Sequence, residues 1–196
     1  MIKFALTIAL AIPIAFTNIA SAQTIVDFED IAAGTTFGVG STITSNGFDI
    51  LITGSSGGGT RIVGQSSANF QSGNSLFNAG NRQLSFQLTE STQRVSFLFE
   101  NSGGTNFLTV NGETSPFVFD FNVLDGSTLG GVEIETIGDQ AFGELSLTGP
   151  INSLIVSGQE LGLDNIAIGV PEPTSGTLLG GLLAAAFLRR KRNVAG

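Results

Sequence analysis

The sequence predicts an all-β domain, an antiparallel sandwich of two sheets, set between an N-terminal leader helix and a C-terminal membrane helix. Three observations carry this reading. Apolar residues recur at every second position in run after run, which is the pattern of half-buried strands. Clusters of Gly, Asn, Asp and Pro separate the runs. Between Gln23 and Val170 no stretch carries the 3.6-residue apolar period of a helix. About ten candidate strands at roughly 8–14-residue spacing are what a sandwich or barrel requires.

The runs can be taken in order. Leu84, Phe86 and Leu88 alternate with Ser85 and Gln87, and Val95, Phe97 and Phe99 alternate with Ser96 and Leu98. Phe117, Phe119 and Phe121 alternate with Val118 and Asp120, Val132 and Ile134 with Glu133 and Glu135, and Leu145 and Leu147 with Ser146 and Thr148. The expected core therefore includes Phe86, Phe97, Phe99 and Phe119, in a domain without Trp or Tyr. Asn46-Gly47, Gly103-Gly104, Asp125-Gly126 and Gly149-Pro150 read as turns, and Asn111-Gly112 as a two-residue hairpin after Phe107–Val110. The run from Gly54 to Gly59 reads as a flexible connection, because a phosphate-cradling loop would need a following Lys and a helix.

Charge and missing residue types narrow the function. From Gln23 to Val170 there are fifteen acidic residues against three basic ones, Arg61, Arg82 and Arg94, a net of −12. Such a surface repels nucleic acid and anionic lipid and is compatible with divalent cations. Cys and His are absent from the chain, and this segment has no Lys. Ser-His-Asp triads, Cys-His dyads, Schiff-base lysines and His- or Cys-based zinc sites are thereby removed. Carboxylate pairs remain, and no spacing singles one out, so the expectation is a protein that is not an enzyme.

The two ends read as targeting signals. Met1-Ile2-Lys3, the apolar stretch Phe4 to Ile19 and the small-residue site Ala20-Ser21-Ala22 form a secretory leader over residues 1–22, with Gln23 as the mature N-terminus. An uncleaved anchor is the alternative, against which Pro13 and Asn18 argue. At the other end, Pro171-Glu172-Pro173 precedes an apolar run from Ser175 to Leu188 and a basic stop, Arg189, Arg190, Lys191 and Arg192. Prolines favour an extended, protease-accessible segment, and the basic cluster holds the C-terminus in the cytoplasm. The fourteen-residue run is expected to be a helix of about 21 Å, brought across the bilayer by snorkelling and local thinning. Gly176, Gly180 and Ala184 either let another membrane helix approach closely or simply make a weak span.

This tail, residues 171–196, resembles the PEP-CTERM sorting signal of bacterial exported proteins. In that family an exosortase, a membrane-embedded cysteine transpeptidase, cuts at the motif and hands the protein to the cell surface. The resemblance implies the export machinery and an exosortase as partners, a membrane-anchored precursor, and a final place at the cell surface or in the extracellular matrix.

The domain of residues 23–170 has a resemblance of its own. Ile25-Val26-Asp27-Phe28-Glu29-Asp30 at its start and Gly162-Leu163-Asp164-Asn165-Ile166 at its end look like the jelly-roll sandwiches of carbohydrate-binding modules and galactose-binding-like domains. In that group the first and last strands lie together and their acids share a structural calcium. The resemblance implies Glu29 or Asp27, together with Asp164, as calcium ligands; the alternative is that these are solvated edge or turn acids. It does not extend to sugar binding, because saccharide platforms usually present Trp or Tyr. The function expected is that of a non-enzymatic structural or adhesive protein of the envelope or polysaccharide matrix. The alternative is a carbohydrate-binding module with a ligand groove on the sandwich.

Overall fold

A computed structural model describes residues 23–54, 59–64, 73–80 and 82–169. The leader, its cleavage residues Ala20 and Ala22, the Pro171–Pro173 motif, the apolar run and the basic stop lie outside the described residues. Among the described residues no helix is long and apolar enough to cross a membrane.

Among the described residues fifteen strands follow one another: β1 (Thr24–Val26), β2 (Thr36–Phe37), β3 (Thr42–Ser45), β4 (Phe48–Gly54), β5 (Gly59–Gly64), β6 (Asn74–Ala79), β7 (Arg82–Phe86) and β8 (Thr92–Asn101), then β9 (Asn106–Val110), β10 (Glu113–Thr114), β11 (Thr128–Leu129), β12 (Val132–Gly138), β13 (Phe142–Ile151), β14 (Leu154–Gly158) and β15 (Leu161–Gly169). They form two antiparallel sheets. One is nine-stranded, in the order β11-β12-β13-β8-β15-β6-β5-β2, with β1 on β15; the other is six-stranded, β10-β9-β14-β7-β4-β3. Three of the strands beyond the ten expected, β2, β10 and β11, have two residues each, too few for a periodicity to show.

The inner faces of the two sheets close over one core. Val95, Phe97 and Phe99 of β8 and Leu145 and Leu147 of β13 meet Ile50 and Ile52 of β4, Leu84 and Phe86 of β7 and Val156 of β14 in one buried cluster. Alternation in the sequence is thus the inward–outward alternation of the pleat. Asn111-Gly112 makes the hairpin expected of it, and the turn expected at Asn46-Gly47 is a hairpin too. Asn46 and Gly47 have φ of 48° and 76° between β3 and β4, and Asn111 and Gly112 have 50° and 83° between β9 and β10.

Two expectations are corrected. Phe117, Phe119 and Phe121 do not share an inward strand face. A single antiparallel bridge joins Val118 to Asn106, with Asn106 N donating to the Val118 carbonyl at 2.6 Å and Val118 N returning a bond at 2.9 Å. Val118 turns inward, and Phe117 and Phe119 stand 74% and 75% exposed. Period-two alternation separates two faces and says nothing about which is inner, so a one-residue phase error inverts all of them. Phe121 is nonetheless buried, because the chain leaves the extended state after Asp120 and enters a 3-10 turn, Phe121–Leu124, capped by Asp120. The second correction concerns Gly149-Pro150, which lies inside β13 and not in a turn. The β13–β8 register shifts between Thr148 and Ile151, and a bulge tolerates both the φ of 138° at Gly149 and the missing N–H of Pro150.

Candidate functional site

The first and last strands lie side by side. Thr24, Ile25 and Val26 of β1 pair with Ile168, Ala167 and Ile166 of β15. Gln23 is packed against Gly169, where an added Cβ would come within 3.4 Å of Gln23 Cα. The two ends of the described domain therefore leave it at one pole.

Beyond Val26 the chain turns at Phe28, whose φ of 60° places a bulky residue in the left-handed region. Its ring is fully buried, and Phe28 N donates to Ser45 Oγ at 3.2 Å. A conformation of this kind costs about 1–3 kcal/mol and persists where surrounding structure holds it. The hold here is a polar lattice built on the β3–β4 hairpin. Asn46 Nδ2 donates to the Ile25 carbonyl at 3.0 Å and to Asp27 Oδ1 at 2.9 Å. Asp30 accepts from Ser45 Oγ at 2.7 Å and from Asn46 N at 2.9 Å. Those two bonds, the backbone one first, hold the Asp30 carboxyl below the usual aspartate range.

Glu29 reaches across to β6. Its Oε1 accepts from Asn74 N at 2.8 Å, and Asn74 Nδ2 donates to the Ile31 carbonyl at 2.8 Å. On β15 the register with β8 shifts between Asp164 and Ala167, and Asn165 takes a φ of 47°. Asp164 pairs with Leu98, on the face opposite Phe97 and Phe99, yet it is only 2% exposed. Its Oδ1 accepts from Asn165 N at 2.7 Å. Burial pushes its pKa up to about 6, the Asn165 N–H pulls the other way, and the negative charges of Glu29 and Asp27 add to the rise.

Asp27, Glu29 and Asp164 thus lie within electrostatic reach of one another, although they come from the two ends of the domain. The lattice around them also contains Ser45, Asn46, Asp30, Gly73 and Asn74, which sequence reasoning did not single out. Asn46 carried a turn signal and no sign of its side-chain role, and Gly73 carried no signal. Among the described residues no group of three or more His, Cys, Asp or Glu is arranged to hold a metal ion. An ion at this place would therefore draw on backbone carbonyls or water as well, as calcium with its six to eight oxygens commonly does. Asp27 Oδ1, Glu29 Oε1 and Asp164 Oδ1 are each already hydrogen-bonded.

No protein-family model matches this sequence, and no curated protein matches it. Among solved structures it is similar to the K2 cleaved adhesin domain of Lys-gingipain, with a TM-score of 0.44 and 12% identity over 75% of this chain and 99% of that one. A likeness of this size says nothing about what the protein binds.

Proposed function

We propose that the chain is an exported, surface-sorted protein whose jelly-roll-like domain acts without catalysis, as a structural or adhesive part of the cell envelope or polysaccharide matrix. The observation that carries this reading is the tail: Pro171-Glu172-Pro173, an apolar run and a basic stop, after a domain of net −12 with no His, Cys or Lys. An exosortase cuts at the proline motif, and the leader is removed before Gln23. The pairing of β1 with β15 supports the reading, because a domain whose two ends emerge together can be held to a membrane by one pole while the rest projects outward. In the same reading a calcium ion sits among Asp27, Glu29 and Asp164. It would offset the negative charges of Glu29 and Asp27, which add to the rise that burial gives the Asp164 pKa, and would tie the first strand to the last.

Mass spectrometry of the protein extracted from the cell surface tests the sorting. The expected mature form begins at Gln23 and ends near Pro171–Pro173. A surface form that still carries Arg189 to Gly196 would mean a permanent anchor and overturn the sorting reading.

A further inference from the structure

The two outer faces of the sandwich differ in charge. In the six-stranded sheet, the residues that alternate with the buried Ile50, Ile52, Leu84, Leu108 and Val156 point outward. Cross-strand pairing sets Thr42, Leu51, Ser85, Ile155, Thr109 and Thr114 in one row across all six strands. A second row runs through Thr53, Gln83, Ser157 and Phe107, and the Phe117 ring continues it, edge-on to Phe107 at 5.3 Å. The strands of this sheet carry three charged residues, Asp49, Arg82 and Glu113. Arg82 shares the inward phase of Leu84 and is buried, and Glu113 lies opposite the buried Val110. Asp49 alone faces out, near the β3–β4 turn, where it accepts from Thr44 Oγ1 at 2.6 Å. The nine-stranded sheet is the reverse. Arg61, Arg94, Glu100, Glu133, Glu135 and Glu144 alternate with its buried residues and face out.

We propose that the outer face of the six-stranded sheet binds a second copy of this chain, sheet on sheet, in a weak symmetric pair. Charge decides the occupant. Residues 23–170 carry a net −12, so two copies repel one another in most orientations. With these two faces together, the charged outer faces of the two nine-stranded sheets stand three sheet spacings apart, about 30 Å. That is several times the ~8 Å screening length at physiological salt. Contact through the other face would instead bring Glu133, Glu135 and Glu144 of both copies together. A strongly basic partner meets no acid here except Asp49, and an anionic partner meets no Lys or Arg. An uncharged face of hydroxyls, amides and apolar side chains is complementary to itself, which is what an isologous contact requires.

Size sets the strength. Six strands ~4.8 Å apart and about 20 Å of strand length give a face of roughly 500 Å². A symmetric pair therefore buries about 1,000 Å² in all, the low end for a specific interface, which makes the pair weak and reversible. Two sheets stacked at about −30°, as in a sandwich, keep their inward side chains in contact. Ser85 and Ile155 stand on the two central strands of the six, β7 and β14, and so at the middle of the contact, while Asp49 stays at the rim in water. Leu51, Ile155, Phe107 and Phe117 supply the apolar area. Phe117, 74% exposed in the single chain, is the anchor.

The test uses the absence of cysteine from the chain. A single introduced Cys is then the only thiol, and a short bismaleimide joins two chains only where that position meets its own copy. Ser85→Cys, in the full chain in detergent, should give a covalent dimer. Thr148→Cys, exposed on the outer face of the nine-stranded sheet opposite Glu133 and Arg94, should stay monomeric. Adding Phe117→Ala or Thr109→Glu to Ser85→Cys should weaken association by about fivefold or more. Phe117→Ala removes an exposed ring, and thermal melts show that each variant keeps its fold. Raising salt from about 0.05 M to 0.5 M should increase the dimer, because screening relieves the repulsion and no ion pair holds the contact. Equal dimer from Ser85→Cys and Thr148→Cys would place the association in the tails or the micelle and overturn the proposal. So would a dimer that salt dissolves, or a chain still monomeric at about 0.5 mM, which would leave the face to a different occupant. None of these outcomes bears on where the protein is sorted.

Discussion

The Glu29 carboxylate fills the space in which a side chain on Gly73 would stand: a Cβ added at Gly73 would lie 1.5 Å from Glu29 Oε1. Gly73 also has a φ of 89° and directly precedes Asn74, whose N–H holds that oxygen. Glycine is thus required twice, for its backbone and for its lack of a side chain. Gly73→Ala should destabilise the domain by about 1–3 kcal/mol, from backbone strain and the loss of the charged hydrogen bond. Repeating the change in a Glu29→Ala background should cost only the backbone part, about 1 kcal/mol. Chemical denaturation of the four proteins separates the two terms, and equal losses in both backgrounds would rule out the steric account.

Phe97 and Phe119 were expected to be alike and are opposites. Phe97 is fully buried, with its ring edge-on to Phe121 at 6.4 Å. Phe97→Ala should cost about 3–5 kcal/mol. Phe119→Ala should change stability by less than about 0.5 kcal/mol. Urea midpoints at constant slope provide the measurement, and comparable losses would mean that Phe119 is packed in solution.

Asp164 gives the domain a pH dependence of unusual sign. Its pKa rises from 3.8 to about 6 on folding, so between these values the folded state binds more protons than the unfolded one. Stability from this group is greatest below pH 4, falls as pH rises toward 6, and levels off above. Asp30, whose pKa is lowered, acts in the opposite sense as pH falls through its own titration. Unfolding free energies measured from pH 4 to pH 7 with chelator present should decline in wild type and lose most of that slope in Asp164→Asn. An unchanged slope in the variant would remove Asp164 as its source.

Calcium should reverse this penalty. Added at pH 7, it should raise the thermal midpoint, chelator should lower it again, and Asp164→Asn should abolish the shift. A wild-type midpoint indifferent to calcium would end the proposal for Asp27, Glu29 and Asp164. A shift that persists in Asp164→Asn would move the ion elsewhere.

Much of the fold was legible because it depends on nearest neighbours in sequence. Val95-Phe97-Phe99 and Leu145-Leu147 alternate because a pleated strand does, and Asn46-Gly47 and Asn111-Gly112 turn because those residues accept positive φ. Phe117-Val118-Phe119 was misread because its inward face is set by one bridge to Asn106, a contact the local pattern does not contain. The acids Asp27, Glu29 and Asp164 could be named from the two end segments. Their company of Asn46, Gly73 and Asn74 could not, because it comes from the β3–β4 hairpin and from the start of β6.

The amino-acid sequence by itself determined the strand-and-turn composition, the acidity of residues 23–170 and their lack of His, Cys and Lys. Each of these is a property of single residues or of neighbours within a few positions. Tertiary structure alone decided that Gln23 lies beside Gly169, that Asp164 is buried near Glu29 and Asp27, and that Phe119 stands exposed. The reason is physical: pairing register and the desolvation of a carboxyl depend on which distant segments come to lie against it, and no local pattern encodes that.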